Sequence, residues 1–154
     1  KDGFFGDTSK TIMVVKVSDV AADLVDAAYK AMMIGIEAVT PTGYTGDIGF
    51  ETNKFVTRRG YTTIKEIGGH GIGRVFHADP FVPAFGKRGK GEKIIPWTCF
   101  TVEPMVNEGV DEFVEFDIPG SSIKYYKTAD MKLSAQFEHT LLITDVGYEI
   151  LTVE

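Results

Sequence analysis

Cysteine is almost missing from this chain: Cys99 stands alone among 154 residues. No disulfide can close within it, so a fold stapled by bridges is excluded, and a lone thiol fits a reducing compartment. A basic excess is missing as well. Sixteen Lys and Arg face 22 Asp and Glu, a net charge of -6, which argues against a sequence-wide footprint for DNA or RNA and leaves room only for a local basic patch. No apolar run approaches the ~20 residues of a membrane helix, and no signal-peptide pattern opens the chain. Internal repeats and low-complexity tracts are absent. What remains is 44% hydrophobic and 25% charged residues, the proportions of a chain able to bury a core. The length suits one domain and is too short for two comfortable ones.

The opening Lys1-Asp2-Gly3 is not a translation start, and it runs straight into the β-like Phe4-Phe5. A strand at a domain's edge would leave its backbone groups unpaired. The expectation is a chain cut from something longer, with part of its sheet supplied by missing residues or another chain.

Two short strands are expected in residues 1–17, around Gly6-Asp7-Thr8, the second being the β-branched run Thr11-Ile12-Met13-Val14-Val15. Ser18 suits an N-cap for a helix reaching about Val39, with Val20, Leu24, Ala27, Ala31, Ile34 and Ala38 on one face. A second helix is expected from near Asp47 to Arg59, burying Ile48, Phe55 and Val56 and stopping at Gly60. Beyond it the sequence is strand-rich, at 61–67, 97–103, 112–116 and 123–128 and in two runs between Ala135 and Val153. Between these lie a Gly/His segment, 68–77, and the basic loop Gly86-Lys87-Arg88-Gly89-Lys90-Gly91-Glu92-Lys93. Helices followed by antiparallel strands indicate an α+β fold, with the helices covering one face of a curved sheet.

Two of the three histidines fall in Gly68-Gly69-His70-Gly71-Ile72-Gly73-Arg74-Val75-Phe76-His77. Flanking glycines free the backbone for positive φ and let the imidazole approach a partner. A tight turn with an incidental histidine reads the same stretch. A phosphate loop does not, since the Lys-Ser/Thr ending and the following helix are missing. Three carboxylates stand in otherwise apolar, strand-like sequence or beside it: Asp7, Glu103 and Glu138. Strand alternation could point each to solvent; buried, each would need a partner or a metal. Three carboxylates and one imidazole suit a divalent Mn, Fe, Co or Zn ion.

The segments Asp2-Gly3-Phe4-Phe5-Gly6-Asp7-Thr8-Ser9, Gly69-His70-Gly71-Ile72-Gly73-Arg74 with Phe76-His77, Phe100-Thr101-Val102-Glu103-Pro104-Met105-Val106-Asn107 and Leu133-Ser134-Ala135-Gln136-Phe137-Glu138-His139-Thr140 together resemble the successive metal-site motifs of type I methionine aminopeptidases. They stand in that family's order. The resemblance implies the pita-bread fold of two pseudo-symmetric halves, with residues 1–17 ending the first half, 18–154 forming the second, and most of the N-terminal half lacking. It implies metal-dependent hydrolysis of the N-terminal methionine of nascent polypeptides by a metal-bound hydroxide, in the cytoplasm, with one or two divalent ions (Co, Mn, Fe or Zn).

By the same resemblance Asp7 and Glu138 are bridging metal ligands, His70 and Glu103 bind the tighter metal, and a fifth ligand, an aspartate, falls ahead of Lys1. Glu103 also handles the water proton, His77 contacts the substrate, and Phe76 lines the methionine pocket. Many relatives carry a tryptophan before the last acidic motif. Here that stretch reads Ser121-Ser122-Ile123-Lys124-Tyr125-Tyr126-Lys127, so the pocket lid is expected to differ. Trp97 reads as structural and Cys99 as a small buried residue. The loop 86–93 reads as solvated or, more sharply, as a contact for ribosomal RNA, and the missing half as part of the same or a separate chain. The rival readings are an aminopeptidase P or prolidase relative and a non-catalytic binding module on the same fold.

Overall fold

A computed structural model of the chain describes residues 2–153. Lys1, where the first expected strand begins, and Glu154 lie outside them. Helix α1 spans Asp19–Glu37, and its N-cap is Ser18, whose Oγ accepts the Ala21 N–H at 3.2 Å. It buries Leu24, Ala28, Ala31, Met32 and Ile36, whereas Val20, expected on that face, is 50% exposed. The buried stripe turns toward Gly35. A Cβ there would press on Thr52, Val102 and Ile48, so the missing side chain is what lets α1 settle against its neighbours.

Helix α2, Thr45–Arg58, begins two residues before the expected Asp47. Asp47 lies inside the first turn, and its carboxylate reaches back to accept the N–H of the N-cap residue Tyr44 at 2.8 Å. Ile48 and Val56 are buried as expected, Phe55 only partly.

The strands are β1 (Ser9–Lys10), β2 (Thr62–Thr63), β3 (Gly69–Gly71), β4 (Ala78–Val82), β5 (Cys99–Val102), β6 (Met105–Asn107), β7 (Phe113–Asp117), β8 (Lys124–Thr128), β9 (Ser134–Ile143) and β10 (Tyr148–Ile150). One antiparallel sheet runs β2-β6-β9-β5-β3-β4, with β1 and β10 also pairing β9 off this path; β7 and β8 form a separate hairpin. The ten-residue β9 is the organising strand because it is long enough to pair β6 and β1 along its first part and β5 and β10 along its second. Its alternation assigns the two faces. Leu141 and Ile143 pack with Phe100, Val102, Met32 and Ile36 in the core under the helices. Gln136, Glu138 and Thr140 belong to the opposite face.

Several strand expectations are corrected. Phe4-Phe5 and Thr11 to Val15 are not strands; Ile12, Met13, Val14 and Val15 are 48–89% exposed. β-Branched propensity makes a strand only where a neighbouring strand takes up its hydrogen bonds. Strands β3, β4 and β6 were hidden in short, Gly- or Pro-interrupted stretches. Trp97, read as structural, is 66% exposed, with Nε1 donating to Asp145 at 3.2 Å. Cys99 is partly buried, and burial pushes its thiol pKa up, so it is a poor nucleophile.

The basic loop keeps Lys87, Arg88, Lys90 and Lys93 exposed, as a solvated loop should, while its backbone is anchored. The Gly46 N–H donates to the Lys90 carbonyl at 3.0 Å, the Thr45 N–H to the Glu92 carbonyl at 2.9 Å, and the Gly89 N–H to Asp47 Oδ1 at 2.7 Å. It thereby satisfies the orphan amides of the first turn of α2. No helix among the described residues is long and apolar enough to cross a membrane.

Candidate metal centre

The acidic residues and His70 meet on the sheet face turned away from the helices. His70 is the middle residue of β3. A side chain on Gly69 would collide with the Thr101 carbonyl oxygen, and one on Gly71 with that of Asp79. The two glycines are therefore required by close backbone approach, not by the positive φ expected of them, which neither adopts. Glu103 follows directly on β5, and Glu138 lies in the middle of β9. Asp7 is not on a hairpin turn; it precedes β1, with its N–H donating to Thr140 Oγ1 at 3.0 Å and its carbonyl accepting from that hydroxyl at 2.7 Å.

His70 Nε2 lies 3.8 Å from Asp7 Oδ2 and 3.5 Å from Glu103 Oε1. Asp7, His70 and Glu138 offer one ligand atom each, all within 4.8 Å of one another. Residues far apart in sequence thus bring three donor groups together, with Glu103 Oε1 beside the imidazole. The other imidazole nitrogen, Nδ1, is 3.0 Å from the Gly71 carbonyl oxygen. A carbonyl can only accept, so that contact puts a proton on Nδ1 and makes Nε2 the nitrogen turned toward the carboxylates.

The carboxylates differ in their surroundings. Glu103 receives Thr101 Oγ1–H on Oε1 and Gln136 Nε2–H on Oε2, each at 2.9 Å. Glu138 is 4% exposed, and its Oε1 is buried with no hydrogen-bond partner among the described residues. Burial pushes the Glu103 carboxyl above its usual range, and the Asp7 carboxylate adds to the shift while the Thr101 hydroxyl opposes it. Burial, with the Glu103 and Asp7 carboxylates close by, pushes Glu138 up to about 8. An oxygen buried without a partner among the described residues, beside two more carboxylates and an imidazole nitrogen, is the surrounding a divalent cation would relieve.

His77 lies beside this centre, its ring edge-on to His70 with centroids 4.4 Å apart. It is exposed on the approach to the site. Phe76, 38% exposed, stands 5.8 Å from the His70 ring and 5.4 Å from Phe5. Sequence reasoning singled out these residues but passed over Thr101, Gln136 and Thr140. The available signal was spacing: Thr101 and Glu103, like Gln136, Glu138 and Thr140, stand two apart and so share a strand face.

The description of metallopeptidase family M24 matches residues 1–145 of this chain. The chain belongs to metallopeptidase family M24. Methionine aminopeptidase A of Synechocystis sp. is 44% identical to this M24 chain over 152 residues, 99% of the chain and 58% of the relative. Methionine aminopeptidase of Escherichia coli K12 is 39% identical over 99% of the chain and 56% of the relative. The crystal structure of methionine aminopeptidase from Rickettsia prowazekii superposes with a TM-score of 0.93 at 39% identity, covering 99% of this chain and 60% of that one. The pita-bread fold is thereby shown. Prolidase from Pyrococcus furiosus, 19% identical with a TM-score of 0.74, shares the fold alone. The M24 chain spans somewhat more than half the length of the curated relatives it matches.

Proposed function

We propose that this chain carries the metal centre of an aminopeptidase that removes the N-terminal methionine from nascent polypeptides in the cytoplasm. The observation behind the reading is the convergence of Asp7, His70, Glu103 and Glu138, with His77 at its rim. Similarity to relatives named methionine aminopeptidases supplies the substrate. Residues 1–17 are read as the end of a first half and 18–154 as the second; the segment preceding the matched region in the relatives would contribute a further carboxylate ligand.

Asp7, His70, Glu103 and Glu138 would hold one or two divalent ions (Co, Mn, Fe or Zn), with His70 and Glu103 on the tighter one. Such an ion supplies Lewis-acid polarisation of the scissile carbonyl and lowers the pKa of water. Glu103 accepts the proton of the attacking water and passes it to the leaving amine. His77 donates a hydrogen bond toward the scissile peptide and its developing negative charge. Phe76 and Phe5 offer an apolar aromatic wall suited to a thioether side chain.

A contact with ribosomal RNA through the loop 86–93 belongs to the same reading. The carboxylates around that loop are already engaged, Asp47 by the Tyr44 and Gly89 amides, Glu51 by Lys54 and Arg88, and Glu92 by the Phe81 amide. Lys87, Lys90 and Lys93 are exposed, which suits a phosphate backbone.

The test is hydrolysis of a Met-Ala-Ser peptide and of Xaa-Pro peptides by the Mn- or Co-loaded chain. It is run alone and with a polypeptide supplying the segment that precedes the matched region in the relatives. Methionine release is expected, and Glu103→Ala abolishes it. Cleavage of only the Xaa-Pro peptides would overturn the substrate assignment. Metal binding without any cleavage would leave a binding module.

A further inference from the structure

The site face of the sheet carries two threonines that no step above uses. Thr101 on β5 and Thr140 on β9 are direct cross-strand partners. Both are buried, at 0% and 2% exposure. Neither hydroxyl is spent on the other. Thr101 Oγ1 accepts the His70 backbone N–H at 3.0 Å and donates to Glu103 Oε1 at 2.9 Å. Thr140 Oγ1 accepts the Asp7 N–H at 3.0 Å and donates to the Asp7 carbonyl at 2.7 Å.

We infer that Thr101 and Thr140 act as a pair of positioning residues, a floor that holds Asp7, His70 and Glu103 in ligating geometry before a cation arrives. A hydroxyl has one proton. With the His70 amide on its acceptor side, Thr101 directs that proton to Glu103, so the bond has a fixed polarity and the carboxylate oxygen is held as an acceptor. Gln136 does the same at Oε2. Thr140 works on a different problem. Asp7 lies in no strand, and the paired bonds from Thr140 lock its backbone against β9 where the ladder has not yet begun; the first paired residue is Ser9, opposite Glu138. Valine in either place would keep the shape and delete both bonds, leaving a buried amide or carbonyl unsatisfied.

This inference rests on the metal-centre reading, and the experiment separates the two. Co(II) alone is titrated into the full chain and into Thr101→Val, Thr140→Val, Thr101→Ser and Thr140→Ser, followed by calorimetry and by the visible absorption of the bound ion. Far-UV circular dichroism and urea midpoints check folding. Each valine variant is expected to lose roughly 10–100-fold in Co(II) affinity, the range for outer partners of metal ligands, with a changed absorption band. Each serine variant is expected to bind as the parent does. A folded Thr101→Val and Thr140→Val with parental affinity and spectrum would overturn the inference while leaving the metal centre standing. Serine variants as impaired as the valines would overturn it too, by showing a packing role. Failure of the parent chain to bind Co(II) would overturn the metal-centre reading itself.

Discussion

Glu103 and Glu138 enter one site from adjacent strands in opposite hydrogen-bonding states. Glu103 has a donor on each oxygen, Thr101 and Gln136, whereas Oε1 of Glu138 is buried with none among the described residues. Strand alternation puts both side chains on one face, and the packing beneath leaves Oε1 of Glu138 without a hydrogen-bond partner among the described residues. Burial and the neighbouring carboxylates hold the Glu138 carboxyl well above its usual range, and a cation at this point would relieve the same crowding of negative charge.

The pH dependence follows in sign. Glu138 titrates at 4.5 when unperturbed and is pushed up to about 8 by burial and the Glu103 and Asp7 carboxylates. Between those values the folded, metal-free chain keeps a proton that the unfolded chain has lost. Its contribution to stability is full below the unfolded pKa and fades as pH rises through that of the folded state. With chelator, the thermal midpoint is expected to fall from pH 5 to pH 8. Glu138→Gln should flatten that slope; an unchanged slope in the variant would assign the titration to other groups.

Metal binding near neutral pH should release a proton, because a ligating carboxylate must be ionised. Calorimetric titration of Mn(II) in buffers of different ionisation enthalpy reads this number directly. A positive release is expected for the parent chain and a smaller one for Glu138→Gln.

His77→Ala is expected to separate binding from turnover. Losing one transition-state donor costs about 2.7–4 kcal/mol, or roughly 10²–10³ in kcat. The ring packs on His70 but is not itself among the grouped donors, so Mn(II) affinity should stay within about threefold of the parent. The check pairs metal titration with single-turnover hydrolysis of a methionyl peptide. An affinity loss as large as the rate loss would place His77 in the ligand set.

Gly71→Ala should be costly although the glycine adopts no unusual φ. Its new methyl would strike the Asp79 carbonyl on β4, and forcing a group into such a contact costs about 1–3 kcal/mol. Urea unfolding is expected to show a lower midpoint with an unchanged slope, together with weaker metal binding as β3 shifts His70.

Exchanging Lys87, Lys90 and Lys93 for Gln should leave folding intact, since the loop caps α2 through backbone groups. Ribosome cosedimentation should weaken and lose part of its salt dependence, each phosphate contact contributing to the slope. Equal sedimentation for parent and variant at low and high salt would remove the RNA contact from the functional reading.

Local signals were enough for the helices. Ser18 with an apolar stripe behind it defines α1 at its own end of the chain, because capping and periodicity act over three to seven residues. The same range explains the errors: Thr11 to Val15 has the composition of a strand, but the ladder with β9 stops at Lys10 and Thr11 bonds to Gln136 through its hydroxyl, while β3, β4 and β6 exist through neighbours that single-segment propensity does not register.

Carboxylates standing in apolar sequence, and a histidine between glycines, are properties of the chain, and by themselves they marked Asp7, His70, Glu103 and Glu138 only as candidate donors, because a solvent-facing carboxylate or a tight turn reads the same way. Their meeting was decided by β9, whose register brings Glu138 opposite Ser9 and Thr140 opposite Thr101. Only that pairing reveals the two threonine hydroxyls beneath the site, because a hydroxyl's partner depends on which strand lies beside it, and sequence order does not fix which strand that is.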